Sequence, residues 1–443
     1  MQYKALLTTA LLSATSVLGQ AATGTSGGSN AGSCTISGSQ ATATAQADLD
    51  KLAACSTITG DLTITGDLGN AALANVKKID GSLEINNATN LQSFAADAIS
   101  EITGDLTLKG LTVLTTASFG SLEKVQGITL LTLPAISTFN SKLSSADNIY
   151  ISDTSLESVD GFSVLTKVNG FNINNNRYLT SIKSSLQTVS DALSFQFNGD
   201  NTTINLDSLI WANNITLSDV SSVSFDNLQA VNASLGFLNN TISELKLNNL
   251  TSVGQTFTIT FNNDLTHLEF SNLTKVGGGF VVANNTNLKS IDAFANLQTV
   301  NGALDVIGNF DSLDLTALKS VRGGADVETK SANFSCSPLK KLQSKGAIQG
   351  DKFICKNGFK SSSVSKVSSV TSDVSSGRRD VSTSASTSSR SESASASASA
   401  SASESNSASA STSSRSSRGA AAGNSIPAAS FLGAFAAVAA ALI

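Results

Sequence analysis

The chain has 443 residues, with 33 Asp and Glu against 28 Lys and Arg, one His, one Trp and four Cys. Only 14% of residues are charged, where soluble domains carry roughly a quarter; Ser, Thr and Asn fill the difference. No basic cluster suits nucleic acid. A single His leaves little for a His-built metal centre or a Ser-His-Asp triad, and no cofactor or small-molecule site is evident.

Met1 to Gly19 reads as a secretory signal peptide. Lys4 precedes an apolar run from Ala5 to Leu12, and Val17 and Gly19 stand at the −3 and −1 positions before Gln20. Cleavage after Ala21 or Ala22 also fits. The run is too short and too interrupted by Thr and Ser for a membrane helix.

Cys34 and Cys55 open the next region and Cys336 and Cys355 close it, with none between. An even count in an oxidising compartment reads as disulfides. Four Cys allow three connectivities; the wide separation favours Cys34–Cys55 and Cys336–Cys355. Each closes a loop of about 20 residues, worth ~3 kcal/mol by chain entropy. Metal-ligand spacing is absent.

Between the cysteines the chain repeats. Ile58-Thr59-Gly60 leads Asp61-Leu62-Thr63-Ile64, Ile79-Asp80-Gly81 leads Ser82-Leu83-Glu84-Ile85, and Ile102-Thr103-Gly104 leads Asp105-Leu106-Thr107-Leu108. The frame returns at Gly127, Asp147, Gly170, Asp191, Asn213, Ala233, Gln255, Gly278, Gly302 and Gly323, thirteen anchors spaced by 20–24 residues. It slips by one near Gly127 and Gly170. A fixed period in this range means a solenoid.

Each repeat is expected to carry a second signature, aromatic-x-x-Leu-x-x-Val, just before its anchor, as in Phe119/Leu122/Val125, Phe162/Leu165/Val168, Phe225/Leu228/Val231, Phe270/Leu273/Val276 and Phe294/Leu297/Val300. Leu247 and Leu315 replace the Phe in two coils. An Asn-rich turn and a short Leu-x-x-Ile/Val run, such as Leu179/Ile182, lie between strand and signature. Period-2 apolar patterns in short pieces argue strands. One coil cannot bury this face alone, so coils stack and their strands pair in parallel. The expected fold is an all-β, right-handed parallel β-solenoid over residues 20–360 with disulfide-stapled caps, inward Leu/Ile and Phe ladders, and Asn ladders at the turns. The alternative is an α/β leucine-rich horseshoe, disfavoured by the few helix formers in the third segment.

Residues 361–418 hold 29 Ser and 4 Thr in 58 positions, too little apolar content for a core. Such a tract reads as an O-mannosylated stalk reaching on the order of 150 Å at about 3 Å per residue, or as an unmodified flexible linker. Arg378-Arg379 is a candidate dibasic processing site. The region 20–360 carries 21 basic and 29 acidic residues, so no polyanion site is indicated.

Ala428 to Ile443 is uncharged and apolar, with nothing basic after it. Small residues and a polar spacer precede it, the order of a GPI attachment signal. Gly419 is the expected lipid-bearing residue, followed by small Ala420 and Ala421; Gly423 and Asn424 are alternatives with a shorter spacer. Residues 419–443 then comprise the attachment site and its removed propeptide.

The order of parts, and the ending Ser417-Arg418-Gly419-Ala420-Ala421 through Ile426-Pro427-Ala428-Ala429-Ser430-Phe431-Leu432-Gly433, resemble the fungal GPI-anchored cell-wall organisation proteins of the extracellular-mutant and sporulation-specific type. Their repeats resemble the L domains of the insulin and epidermal growth factor receptors. The resemblance implies a glycosylated surface protein needed for wall integrity, anchored in the outer leaflet. In a pathogen it further implies effects on morphology and host interaction. It supplies no catalytic residue, and it carries the GPI site to Gly419. Wall polysaccharide or mannoprotein is the partner class it suggests.

The competing enzyme reading is a wall-remodelling glycosidase or transglycosidase, which needs two carboxylates about 5 to 10 Å apart. Asp264 and Glu269 flank His267 in the richest polar cluster, but Asp207 or Glu244 would serve as well. Trp211 is a candidate sugar platform, or a core or rim residue. Asn-x-Ser/Thr sequons occur at Asn87, Asn201, Asn214, Asn232, Asn239, Asn249, Asn272, Asn284 and Asn333. Asn87, Asn239 and Asn284 fall six residues after an anchor, and Asn249 and Asn272 six before, so these five define two columns on stacked coils. Seven of the nine lie between Asn201 and Asn284, leaving coils from about Gly104 to Ser190 bare.

Overall fold

The computed structural model describes residues 33–358. The signal segment, the Ser-rich tract, Arg378-Arg379 and the candidate anchor sites Gly419, Gly423 and Asn424 lie outside the described residues. The described chain is an all-β parallel solenoid of about 13 turns. Its largest sheet joins 23 strand segments.

The repeat frame becomes a physical column. Leu83 pairs with Leu62 and Leu106, and the same register carries on through Ile128, Ile149, Phe171, Leu193, Ile215, Leu235, Phe257, Phe280, Leu304 and Ala325. All thirteen are buried. Alternation along a strand sends every second side chain inward, so Ile64, Ile85, Leu108 and Leu130 form a second buried column beside the first.

The two slips are real register shifts. Ile102 pairs with Val125 but Asp105 pairs with Gly127, so two residues of one coil span three of the other. Gly170 stands in the same relation to Ala192 after Val168 pairs with Val189. Glycine recurs at the anchors because the coils touch there. A Cβ on Gly302 would lie 2.6 Å from the Gly278 carbonyl carbon, and one on Gly323 would lie 2.6 Å from that of Gly302.

In nine coils the chain turns after the long strand through a left-handed residue other than Gly. Asn87, Thr132, Asp153, Asn175, Phe197, Asp219, Asn239, Phe261 and Asn284 all have φ between 52° and 60°. The next position in several coils is a buried Asn: Asn176, Asn198, Asn240, Asn262 and Asn285. These form the ladder that the Asn-rich turns imply. Short strands such as Ser93–Ala95, Thr116–Ser118 and Thr138–Asn140 then pair into smaller parallel sheets on a second side.

Phe side chains from the signature and from the neighbouring short strands meet inside the coils. Phe94, Phe119, Phe139 and Phe162 stack at successive centroid distances of 5.7, 5.9 and 5.6 Å. Phe257, Phe270, Phe280 and Phe294 form a second cluster. The α-helices among the described residues are α1 (Gln46–Leu52) and α2 (Ser337–Ser344), one at each end. The repeated third segment carries no α-helix among the described residues, only a 3-10 turn at Asp160–Phe162, which removes the horseshoe alternative.

Both ends are capped. Cys34, on the edge strand Ser33–Thr35, is bonded to Cys55 just after α1, and Cys336, before α2, is bonded to Cys355 on the last strand, Phe353–Lys356. Terminal coils need such covers because they expose interior and unpaired strand edge. Gln46 on α1 adds another. Its side-chain amide accepts from the Ala72 N–H at 2.9 Å and donates to the Ala72 carbonyl at 2.8 Å. The amide thereby occupies the edge of the first small sheet as a neighbouring strand would.

Candidate functional site

Because one set of strand residues points inward, the intervening set builds the outer face of the long sheet. Thr107, Thr129, Tyr150, Asn172 and Ser194 follow one another in register. Beside them run Lys109, Leu131, Ser152, Asn174 and Gln196. The polar groups on this face hold each other in place. Ser152 Oγ donates to Asn174 Oδ1 at 2.6 Å, Asn174 Nδ2 to Asn172 Oδ1 at 2.7 Å, and Gln196 Nε2 to Ser194 Oγ at 2.7 Å. The result is a lattice of hydroxyls and amides repeating at the interstrand spacing of about 4.8 Å.

Of the carboxylates considered for catalysis, Glu244 and Glu269 come together on Lys246, at 2.9 and 3.7 Å from its Nζ. His267 and Glu269 lie on a two-stranded side sheet, with Glu244 opposite His267 and Lys246 opposite Glu269. Glu269 accepts from Asn248 Nδ2 at 2.8 Å and lies 3.0 Å from His267 Nε2. These bonds hold its carboxyl below the usual range, the Asn248 bond contributing most. A general acid for glycoside cleavage needs the opposite shift. Asp264 is exposed on the preceding turn, Glu244 pairs with Lys246 at 2.9 Å, and Asp207 accepts from Asn205 Nδ2 at 2.9 Å and from Ser224.

A second carboxylate pair, on the long sheet, was not picked out from the repeats. Asp305 and Asp326 are direct partners on adjacent strands of the long sheet. Asp326 Oδ2 accepts from Lys352 at 2.7 Å, while its Oδ1 is buried without a partner. Burial and the neighbouring Asp326 push the Asp305 carboxyl above its ordinary range. Two aligned outward positions 21 residues apart were the available signal.

No protein-family model matches the chain. Individual relatives do. The cell wall mannoprotein PST1 of Saccharomyces cerevisiae is 57% identical over 332 residues, covering 75% of this chain and 74% of that protein. The cell surface GPI-anchored protein ECM33 of Candida albicans is 37% identical over 322 residues, 72% of this chain and 78% of that protein. The cell wall protein ecm33 of Schizosaccharomyces pombe is 32% identical over 338 residues, 75% and 79%. The chain belongs to the ECM33/PST1 family of fungal cell-wall proteins. Its place is the cell surface and the cell wall, and its role is that of a cell-wall protein.

For this member of the ECM33/PST1 family, the structure positions each sequon of the described region. Asn87, Asn239 and Asn284 share the left-handed turn column. Asn249 and Asn272 share a ladder in which each Nδ2 reaches a carbonyl of the preceding coil, Asp226 O at 2.6 Å and Asn248 O at 2.7 Å. Asn227 and Asn296 extend that ladder without being sequons. A glycosylated amide keeps one N–H, so such a bond can survive modification. The other four fall elsewhere. Asn214 is half-buried within the strand Trp211–Ser218, exposed Asn232 bonds Asn213 Oδ1 at 2.8 Å, and Asn201 and Asn333 are exposed.

Trp211 faces outward, since its neighbour Ala212 occupies the buried position. It is half-buried between Thr188 and Ala230 of the flanking coils, on the outer face of the long sheet and not in the core.

Proposed function

We propose that this chain is a structural glycoprotein of the fungal wall that organises wall polymer by binding it, without catalytic activity. In this reading residues 1–19 direct secretion, residues 20–360 form the binding head, and residues 361–418 are a mannosylated stalk. A GPI lipid on Gly419 tethers the whole to the outer leaflet. Loss of the protein weakens the wall and, in a pathogen, alters morphology and host contact. The binding surface is the outer sheet face of the coils from about Gly104 to Ser190, and its partner is wall polysaccharide or mannoprotein. The observation that carries this is the hydrogen-bonded run of Ser152, Asn174 and Asn172 beside Tyr150, on coils that hold no sequon. Carbohydrate presents repeated hydroxyls and apolar C–H faces, which such a surface matches.

The test is Asn174→Thr, which completes an Asn-x-Thr sequon at Asn172 and so places a glycan on this face. Binding of the secreted head to β-glucan, chitin and mannan, and wall integrity in cells, should both fall. The Asn249→Gln, Asn272→Gln double variant should leave both intact. The reverse pattern removes the assignment of this face.

A wall-remodelling transglycosidase is the second reading, favoured by one observation, the Asp305–Asp326 pairing. Retaining enzymes hold their carboxyls about 5–5.5 Å apart, close to the separation of neighbouring strands. Incubating the head with wall glycans decides. Product formation abolished by both Asp305→Asn and Asp326→Asn supports the enzyme, and no product supports binding.

A further inference from the structure

Phe261 stands where its coil should carry Asn or Gly. Its φ is 60°, a left-handed conformation that is a true outlier for a bulky side chain and costs of order 1–3 kcal/mol. Its ring is also 54% exposed, so no core packing offsets that strain.

The stacking register names a neighbour. The Asn239 N–H donates to the Thr260 carbonyl at 3.0 Å, and the Phe261 N–H to the Ala283 carbonyl at 3.2 Å. Asn239, Phe261 and Asn284 are therefore consecutive members of one column, about 4.8 Å apart. Asn239 and Asn284 are both sequon asparagines in the same left-handed turn. Two side chains of this column reach the preceding coil, Asn239 Nδ2 to Asp219 Oδ1 at 2.8 Å and Asn175 Nδ2 to Ser152 Oγ at 3.5 Å, while Asn87 Nδ2 donates to its own neighbour Asn86 at 3.2 Å. For Asn284 the preceding member is Phe261.

We infer that Phe261 is the seat of the N-linked glycan on Asn284, its ring covered by the apolar face of the first N-acetylglucosamine. This rests on the glycoprotein reading above and adds to it a specific carbohydrate contact. A pyranose ring presents axial C–H bonds on one face, and these meet the negative face of an aromatic ring favourably. The contact would pin the glycan against the coil and fix the direction in which it shields the neighbouring turns. Phe197 supplies an internal control. It has φ 55° and is 50% exposed in the same column, but its neighbours there, Asn175 and Asp219, are not sequons.

The experiment uses the full chain secreted from a glycosylating host. Glycopeptide mass spectrometry first reads occupancy of Asn284. Thermal midpoints are then measured for Phe261→Asn, Phe261→Leu and Phe197→Asn, each with and without Asn284→Gln. With the glycan present, Phe261→Asn and Phe261→Leu should lower the midpoint. In the Asn284→Gln background Phe261→Asn should raise it, because Asn suits the left-handed turn. Phe197→Asn should raise it by the same amount in both backgrounds. Under native conditions, endoglycosidase should release the Asn284 glycan severalfold faster from Phe261→Leu than from wild type. An unoccupied Asn284 overturns the inference together with this part of the glycoprotein reading. An occupied Asn284 with no coupling to Phe261 and no change in release rate overturns the contact alone.

Discussion

Asn240 Nδ2 donates to Asn262 Oδ1 at 2.9 Å, and the Asn240 N–H reaches the same oxygen at 2.9 Å. Asn262 in turn donates from Nδ2 to the Phe237 carbonyl at 3.0 Å and from its backbone N–H to Asn285 Oδ1 at 2.9 Å. The Asn262 amide thus satisfies a backbone donor and a backbone acceptor of the preceding coil, and the Asn285 amide receives the Asn262 N–H in turn. Coils without the ladder fill the position with Leu111 or Leu133, so the site accepts apolar residues only where neighbours do not expect a partner.

Asn262→Ala should therefore destabilise the protein by about 3 kcal/mol, since it strands buried donors and an acceptor at once. A solenoid transmits such damage mainly to its nearest neighbours. Hydrogen exchange should accelerate over residues 235–285 and stay near wild type over residues 62–110. Uniform acceleration along the whole chain would contradict the ladder's local role.

Gly277 should respond strongly and Gly279 hardly at all to the same substitution. A Cβ on Gly277 would lie 1.9 Å from the Gly254 carbonyl oxygen, while the nearest atoms to one on Gly279 are 3.8 Å away. Gly277→Ala forces the coils apart, at a cost of about 1–3 kcal/mol or more, and should reduce secreted yield and thermal midpoint. Gly279→Ala should leave both near wild type.

What the sequence made legible was whatever repeats at the period of the coil. The anchor spacing, the slips at Gly127 and Gly170 and the Phe119-type signature all follow from stacking, because a residue that meets its own kind in the next coil is constrained there. Relationships confined to one pair of coils were not legible. Asp305 and Asp326 become neighbours only through register, and their one mark in the sequence is a shared offset of three residues from the anchors Gly302 and Gly323. Phe197 and Phe261 were hidden because the left-handed turn tolerates exceptions to Asn when the ring stays outside. Gln46 was hidden because its role is to imitate a strand that the chain does not provide.

The C-terminal cap should open alone. Replacing Cys336 and Cys355 by Ser removes a crosslink between residues 19 apart, worth ~3 kcal/mol by chain entropy. Exchange should rise over α2 and residues 320–358, with the central coils unchanged. Loss of the entire fold on this substitution would show that the cap nucleates the solenoid and does not merely cover it.

The Asp305 carboxyl gives stability a defined pH dependence. Burial raises it above its ordinary value of 3.8, and Asp326 adds to the rise, opposed by Lys352. A carboxyl raised on folding binds more protons in the native state than in the unfolded one, so stability falls as pH climbs through that window. Its contribution is fully present below about 3.8, the unfolded value, and is lost once pH passes the raised native value. Asp305→Asn deletes the ionisation and should raise the thermal midpoint at pH 7. At pH 3, where wild-type Asp305 is protonated in both states, the variant and wild type should melt together. Lys352→Met should act in the opposite sense at pH 7, because Asp326 and Asp305 would then face each other across the sheet without the ammonium that now separates their charge. A variant Asp305→Asn that melts below wild type at pH 7 would mean that the carboxylate is held by favourable contacts and is not the strained member of the pair.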